Sequence, residues 1–462
     1  MEEGIKCECA VAGIMGKGCP AAQILHDLLY QLSHRGEHFA GMSVQDDEGK
    51  IRLERRPGLS SVSFTPEVLA ELPGCRGIAH GRYATAGPVT VANAQPHLSE
   101  DPLMALCANG DVIPSSYRRL RSHLAQKGVY FNGDNDGELL LHYLAYRIQQ
   151  GFNLVDAMDR MMGDVVGAFS GALIFDGKLA TFRDPLGIRP LSIGRIGESW
   201  VVASETCAFD VIQAKYVRDV EPGELVIFDD DGGITSHQLR TTKMSNRRYC
   251  IFELIYFSRP DSKVFGLPVQ KFRQILGSIL GKKYPADGDV VISVPDSSNA
   301  AALGYAQGSG LDLGIGLIRN HQAGRTFTRP NQASIILGLL QKFNTVYSEL
   351  EGKRVVVVDD SIVRGNTMKA LVQLLRNAGS NEVHLRIISP PVRHSCFYGI
   401  ATPDKKKLIA HSKDIGQVCN YVGADSLFYV TIGDLMEAIE MLGGNPSSFC
   451  YACFNGVYPT EL

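Results

Sequence analysis

The sequence has no surplus of positive charge and no long apolar run. Its 46 lysine and arginine residues are balanced by 49 aspartate and glutamate residues, giving a formal net charge of −3. This balance provides no electrostatic footprint for nucleic acid, and no apolar run approaches the ~18 residues of a membrane-spanning helix. The first eight residues, MEEGIKCE, lack the basic and apolar regions of a signal peptide. We therefore expect a cytoplasmic protein that binds neither nucleic acid nor membranes.

The composition that is present is typical of a soluble globular enzyme. The 462 residues are enough for two or three domains, and 45% of them are hydrophobic and 21% charged. Eleven cysteines are many for a reducing compartment, where disulfides rarely persist. Most of them should therefore be small buried hydrophobic side chains. Five of the eleven lie in sequence motifs that suggest a chemical role, as a nucleophile or as metal ligands.

The chain divides into two regions that differ in their order of predicted strands and helices. From Cys9 to about Asp231, short apolar strands and amphipathic helices come in clusters, which favours stacked, mostly antiparallel sheets with helices outside. A polar stretch from Asp229 to Arg248 marks the expected domain boundary. After it, apolar runs alternate with helices and predict an open, mainly parallel α/β sheet with ligands at the carboxyl ends of its strands. The predicted strands are DVVISVP (289–295), GIGLI (314–318), KRVVVVDD (353–360) and VHLRIIS (383–389).

The stretch VVVVDDSIVRGNT, Val355 to Thr367, combines a buried strand, an acidic pair and a tight turn. Asp359 and Asp360 come at the end of the strand, and an amphipathic helix follows the turn. A short loop between a parallel strand and a helix N-terminus gathers backbone N–H groups at the positive end of the helix dipole, which suits a phosphate. The carboxylates would repel a phosphate, but they can accept hydrogen bonds from ribose hydroxyls or bind Mg²⁺. We infer a ligand that carries both a sugar and a phosphate.

Cys9 begins the apolar strand CAVAGIMG. Taken alone, a cysteine in a strand is a packed side chain, but the motifs that follow favour a nucleophile. A cysteine with a free α-amino group carries nucleophile and base on one residue, because an α-amine with a pKa of about 7.7–8.0 accepts a proton near neutral pH. This role requires Cys9 to be the first residue, and we expect residues 1–8 to be a propeptide removed between Glu8 and Cys9. The motifs that follow are HRGEHFAG (34–41), HGRYATAG (80–87), ANGD (108–111) and DNDGE (134–138).

Together these motifs resemble the amidophosphoribosyltransferase family over nearly the whole chain, from Cys9 to Leu462. The resemblance implies an N-terminal-nucleophile (Ntn) glutamine amidotransferase domain with an αββα sandwich fold at residues 9–235. It implies a type I phosphoribosyltransferase domain with a parallel α/β fold at residues 245–462. The implied reaction converts glutamine, 5-phosphoribosyl diphosphate (PRPP) and water to 5-phosphoribosylamine, pyrophosphate and glutamate, the first step of de novo purine synthesis. A homotetramer is also implied.

The resemblance assigns roles to residues of both domains. In the first, the Asn109 side chain and the Gly110 N–H would stabilise the oxyanion, Arg82 would bind the glutamine α-carboxylate and Asp136 its α-ammonium. In the second, the residues that would hold Mg²⁺ are Ser297, Asp359 and Asp360. Those that would bind PRPP are Asp359, Asp360, Ser361, Arg364, Gly365, Asn366, Thr367 and the lid cations Arg325 and Lys342. The stretch IYFSRPDS, 255–262, would begin an internal passage for ammonia.

Four cysteines of the second region form a separate set: Cys250, Cys396, Cys450 and Cys453. Taken alone, the C-x-x-C pair at its C-terminal end also fits a redox pair or a zinc site. In the resemblance, all four match the ligands of a [4Fe–4S] cluster. Such a cluster would join the start, middle and end of the second domain, so its implied role is structural.

Several residues depart from the family pattern. Ala10 replaces the glycine after the nucleophile, Ala108 and Asp111 replace the outer residues of an HNGN motif, and Asn366 replaces a threonine in the phosphate turn. The replaced positions in the lid region are His321, Gln322, Ile335 and Leu340. These departures leave two alternatives open. One is a PRPP-binding regulatory paralogue with little or no turnover, and the other is an ammonia-dependent phosphoribosyltransferase with an inactive glutaminase half.

Overall fold

The computed structural model describes residues 9–83, 88–239, 247–320 and 341–462. Its first region contains two antiparallel sheets. In spatial order, the seven-stranded sheet comprises Lys215–Asp219, Ser192–Ile196, Ser199–Ala203, Ala10–Met15, Arg76–Arg82, Phe39–Gln45 and Ile51–Pro57. The six-stranded sheet comprises Ile234–Gln238, Glu224–Phe228, Lys178–Arg183, Ser170–Phe175, Leu103–Asn109 and His97–Glu100.

Alternating side chains along each strand separate three apolar layers in this region. In the strand Ala10–Met15, Val11 and Met15 face the second sheet and pack with its residues Ala105 and Cys107. The alternate residues of the strand pack under the helix Ala21–Gln31. The outer face of the six-stranded sheet is covered by Pro114–Gln126, Asp136–Gln149 and Leu154–Asp164. The order is helix, sheet, sheet, helix, which confirms the predicted αββα sandwich.

The second region contains a four-stranded parallel sheet. Its strands, in spatial order, are Val290–Ser293, Arg354–Asp359, Glu382–Ile387 and Ser426–Tyr429. The longer helices are Val269–Lys283, Asn299–Ser309, Asn366–Asn377, Ile415–Val422 and Ile432–Met441. The first two pack closely because their facing glycines leave room for backbone; a Cβ on Gly277 would lie 1.9 Å from the Ala301 carbonyl oxygen. The predicted mainly parallel α/β sheet is confirmed.

One predicted strand of this sheet is wrong. GIGLI contributes only its last two residues to the strand Leu317–Arg319, which pairs antiparallel with Phe343–Thr345 in a separate two-stranded sheet. The fourth strand of the parallel sheet is instead Ser426–Tyr429. The predicted burial is also wrong for Ile315 and Ile318, which are exposed, because a short apolar run specifies neither its burial nor its spatial partner.

The two regions meet through short elements around residue 250. Tyr249–Cys250 pairs in parallel with Phe449–Cys450, and it is followed by the π-helix Glu253–Phe257. The edge strand Ile234–Gln238 of the six-stranded sheet continues past residue 235, where the sequence predicted the end of the first domain. No helix in the described part of the chain combines the length and apolarity needed to cross a bilayer.

Candidate active sites

Cys9 immediately precedes the strand Ala10–Met15. Its side chain is buried, its Sγ lies 3.8 Å from the Tyr83 carbonyl oxygen, and its φ of +50° is in the left-handed region that few residues other than glycine adopt. Ala10 is paired with Gly81, and its methyl group belongs to the apolar layer under the first helix. A Cβ on Gly81 would lie 3.4 Å from the Ala10 Cβ, an ordinary van der Waals separation, so the Ala10 methyl group is not crowded at this point of the sheet.

Asn109 ends a strand of the second sheet with its side chain fully buried. Among the described residues, neither polar atom of its amide has a hydrogen-bond partner. Gln95 fixes the preceding residue by donating to the Ala108 carbonyl at 3.1 Å and accepting from the Ala108 N–H at 2.8 Å. Gly110 follows with φ +123°, and a Cβ there would lie 2.1 Å from the Ala168 carbonyl oxygen. A buried amide with unused hydrogen-bonding capacity is suited to a charge that forms only during a reaction.

Three charged side chains converge near Cys9. The Arg82 guanidinium is buried, which lowers its pKa, while Cys9, Asp136 and Asp111 act in the opposite direction on it. Asp136 begins the helix Asp136–Gln149 and accepts a hydrogen bond from the Val112 N–H at 2.9 Å. Burial and the adjacent charge of Asp111 hold the pKa of Asp136 well above its usual range. The structure thus brings the predicted glutamine-binding pair together and adds a second carboxylate beside it.

The acidic pair of the second region lies at the carboxyl end of its strand, as predicted. Asp359 accepts hydrogen bonds from the Ser298 hydroxyl at 3.1 Å and the Asp360 N–H at 2.9 Å. Asp360 accepts from the Ser297 and Ser361 hydroxyls, each at 2.8 Å. Burial raises the pKa of both carboxyls, and the repulsion between them raises that of Asp359 further. Two adjacent, desolvated carboxylates form a site that a cation or hydroxyl donors would stabilise.

The phosphate turn leads directly into the helix Asn366–Asn377. Gly365 precedes the helix with φ +83°, and a Cβ there would lie 2.7 Å from Ile409. The Asn366 amide oxygen accepts a hydrogen bond from the Tyr421 hydroxyl at 2.5 Å. Thr367 is exposed and Arg364 is half-buried in this turn.

Lys342 reaches the acidic pair from a separate segment, since its charge lowers the pKa of both Asp359 and Asp360. The other predicted lid cation, Arg325, lies outside the described residues. So do four departures from the family pattern: His321, Gln322, Ile335 and Leu340.

The four cysteines of the second region line one cavity. The other residues that line it include Ile188, Tyr398 and Tyr458. Burial raises the pKa of Cys250, Cys396 and Cys450 to about 12 and that of Cys453 further, and the thiols raise one another's pKa. Arg189 opposes this effect on the first three thiols. Within the described ranges, no group of three or more His, Cys, Asp or Glu side chains is arranged around a single ion position.

A buried ionic network behind Cys9 was missed by the sequence reasoning. Arg35, Glu205, Glu253 and Arg189 are fully buried and contact one another across the two regions. Arg273, also buried, donates to the Leu254 and Ser258 carbonyls. Charged residues inside a protein are rare unless they are paired. The sequence feature that could have indicated this buried network is the arginine within the glycine-containing motif HRGEHFAG.

Comparisons with known proteins match both halves of the chain. The glutamine amidotransferase domain family matches residues 81–211, and the phosphoribosyl transferase domain family matches residues 268–389. The chain is therefore an enzyme that joins a glutamine amidotransferase domain to a phosphoribosyltransferase domain.

Similar proteins match along the full length. The amidophosphoribosyltransferases of Methanothermobacter thermautotrophicus and Bacillus subtilis are each 40% identical over 100% of this chain and 96% of their own. The solved structure of the B. subtilis glutamine PRPP amidotransferase, complexed with ADP and GMP, superposes with a TM-score of 0.89 at 40% identity and covers 98% of each chain. A structure described as the allosteric regulatory enzyme of purine biosynthesis gives a TM-score of 0.90. This chain belongs to the amidophosphoribosyltransferase family, which confirms the family and fold predicted from its motifs.

Proposed function

We propose that this protein transfers the amide nitrogen of glutamine to PRPP, giving 5-phosphoribosylamine, pyrophosphate and glutamate, the first step of de novo purine synthesis. The observation that carries the proposal is the buried Asn109 amide, without a hydrogen-bond partner among the described residues, in the strand that ends near Cys9. Arg82 and Asp136 lie beside it, and a separate acidic pair and phosphate turn lie in the second domain. Each half-reaction thus has the residue types that it needs.

In the glutaminase half, the Cys9 thiol attacks the carboxamide carbon and its own α-amine accepts the thiol proton. The amine becomes available once residues 1–8 are removed, a step that we also propose. Asn109 and the Gly110 N–H donate hydrogen bonds to the oxyanion of the tetrahedral intermediate. Ammonia leaves, and water then hydrolyses the thioester to release glutamate. Arg82 and Asp136 select glutamine by pairing with its α-carboxylate and α-ammonium.

In the transferase half, ammonia attacks the anomeric carbon of the ribose as pyrophosphate leaves. The turn at Ser361, Arg364, Gly365, Asn366 and Thr367 binds the 5-phosphate with its backbone N–H groups at a helix N-terminus. Arg325 and Lys342 stabilise the negative charge that develops on pyrophosphate.

The raised pKa values and close packing of the acidic pair fit a divalent cation. Asp359, Asp360 and the Ser297 hydroxyl would hold Mg²⁺, which would neutralise the leaving pyrophosphate.

Ammonia must travel between the two sites without escaping to water, where it would be protonated. The segment 255–262 connects them. Its Arg259 N–H donates to Glu205 of the first domain at 2.8 Å, and the Ser258 carbonyl accepts from Arg273, whose charge acts on Asp360. We propose that the ammonia passage begins along this segment.

The cysteine cavity fits a [4Fe–4S] cluster. Cys250, Cys396, Cys450 and Cys453 supply four thiols around one enclosed space, and Arg189 supplies a positive charge next to them. When bound, the cluster would cross-link the first, middle and last segments of the transferase domain. We further propose a cytoplasmic homo-oligomer, a tetramer by family resemblance.

The test is to measure pyrophosphate release from PRPP with glutamine, with ammonium, and with neither. The proposal expects release with glutamine that Cys9→Ala abolishes, while ammonium-dependent release persists in that variant. Release with ammonium alone in the unaltered protein would favour an ammonia-dependent phosphoribosyltransferase. Absence of release under all three conditions, with PRPP bound, would favour a regulatory paralogue.

A further inference from the structure

The nucleophile of the first domain is held from behind by a buried arginine. Arg35 Nε donates to the Cys9 carbonyl oxygen at 3.3 Å. Cys9 directly precedes the first ladder residue, Ala10. The sheet therefore fixes the residue after Cys9, while Cys9 itself lies just outside the ladder and is held at its carbonyl by the Arg35 side chain.

Arg35 is in turn fixed by a carboxylate from the other domain. Its Nη1 and Nη2 atoms donate to the two oxygens of Glu253 at 3.0 and 2.8 Å, a bidentate pair that sets the plane of the guanidinium. Its Nη1 also donates to Glu205 at 2.5 Å. All three side chains are fully buried, so water does not screen these contacts.

Glu253 has no freedom to turn away from Arg35. Its Oε1 also accepts from Arg189 at 3.1 Å, and its Oε2 accepts from the Ser258 hydroxyl at 2.8 Å. The residue lies in the π-helix Glu253–Phe257, a form frequently found at functional sites. Burial acts to raise the pKa of Glu253, but Arg35 and Arg189 outweigh it, so the carboxyl is ionised at neutral pH.

We propose that Arg35 is a positioning residue for Cys9 and that Glu253 completes the glutaminase site from the transferase domain by holding Arg35 in place. This inference rests on the proposed role of Cys9 as nucleophile. Other contacts already join the domains without touching Arg35, such as the hydrogen bond from the Lys263 N–H to the Thr206 hydroxyl at 2.8 Å. The two domains are therefore held together by contacts other than the Glu253 carboxylate, so holding the domains together does not explain why a carboxylate is present at position 253.

The test compares Glu253→Gln, which keeps the shape and removes the charge, with Glu253→Asp, which keeps the charge. We expect Glu253→Gln to lower glutamine-dependent kcat by at least tenfold, with the KM for glutamine changed less than threefold because Arg82 and Asp136 are intact. Ammonium-dependent turnover should stay within twofold. Glu253→Asp should recover part of the loss. Thr206→Val, which removes an interdomain hydrogen bond outside the network, is the matched control and should leave both activities within twofold.

A second measurement separates positioning from general damage. The rate at which iodoacetamide alkylates Cys9, followed against pH, should be lower or shifted in Glu253→Gln and unchanged in Thr206→Val. If Glu253→Gln does not fold, Ser258→Ala removes one neutral hydrogen bond to Glu253 and should give a smaller loss of glutamine-dependent kcat.

The proposal is overturned if Glu253→Gln, or Ser258→Ala where Glu253→Gln does not fold, keeps wild-type glutamine-dependent kcat or loses both activities in parallel. Retention of glutamine-dependent activity by Cys9→Ala would instead overturn the proposed function itself.

Discussion

Replacing Asn109 with alanine gives the sharpest test of the glutaminase site. The variant removes one proposed oxyanion donor, and loss of such a donor lowers kcat by about 10²–10³-fold, or roughly 3–4 kcal/mol. The Asn109 amide has no hydrogen-bond partner among the described residues. Its removal therefore leaves no described donor or acceptor without a hydrogen bond. Burying an amide without a hydrogen bond costs ~1–3 kcal/mol. Removing the Asn109 amide recovers this free energy, which offsets the destabilisation caused by the small cavity that the substitution leaves.

Stability should therefore hardly change in Asn109→Ala. A net effect within ~1 kcal/mol corresponds to a shift in Tm of about 2–4 °C for a domain of this size. Asn93 is the matched control, because it is equally buried but donates to the Pro88 carbonyl at 3.1 Å and accepts from the Asp134 N–H at 2.7 Å. Asn93→Ala removes both of these hydrogen bonds, so it should lower Tm more while keeping the ratio of glutamine- to ammonium-dependent kcat.

The assay is steady-state pyrophosphate release with saturating glutamine or ammonium, together with thermal unfolding of each variant. The oxyanion role of Asn109 is refuted if Asn109→Ala keeps glutamine-dependent kcat within tenfold of the unaltered protein. It is also refuted if ammonium-dependent turnover falls by the same factor, because the oxyanion forms only in the glutaminase half.

Three further predictions concern other parts of the chain. Asp111→Asn should remove the repulsion that raises the pKa of Asp136. In a plot of kcat/KM for glutamine against pH, the acidic limb should therefore move to lower pH, and an unchanged limb would contradict this. Protein purified without oxygen should contain about four iron and four sulfide per chain, and Cys396→Ser should lower both, whereas zinc in place of iron would contradict the cluster. The intact mass of active protein should correspond to a chain that begins at Cys9, and full glutaminase activity with residues 1–8 retained would refute the role of its α-amine.

The features that the sequence predicted well are local in the chain. Four successive valines, two aspartates and a glycine at positive φ fall within a dozen residues, and the strand, acidic pair and helix follow in that order. Stacked antiparallel sheets with outer helices were likewise expected from the clustering of strands and helices in the first region, and the αββα sandwich from the family resemblance. The correct placement of Asp359 and Asp360 needed no knowledge of distant contacts.

The features that were missed depend on contacts between distant segments. Arg35, Glu253 and Arg189 become an ionic network only when the two domains pack together, and each residue alone looks like a surface charge. The GIGLI run was predicted as a buried strand, but only its last two residues lie in a strand, Ile315 and Ile318 are exposed, and the pairing with Phe343–Thr345 was not predictable from its own residues. For so short an apolar run, the hydrophobic pattern fixed neither the burial of its residues nor the strand with which it pairs.

The structure also separates the departures from the family pattern by their physical effect. The Ala10 methyl group lies in an apolar layer opposite Gly81, and both backbone groups of Ala108 are held by Gln95, so the local packing accommodates both replacements. Asp111 differs, because it adds a negative charge where the glutamine α-ammonium is proposed to bind and acts directly on Asp136. A second carboxylate attracts the ammonium more strongly when both are ionised, but it also raises the pH at which Asp136 takes up a proton. Of these three replacements, Asp111 is therefore the one expected to change catalysis, through the pH dependence of glutamine use.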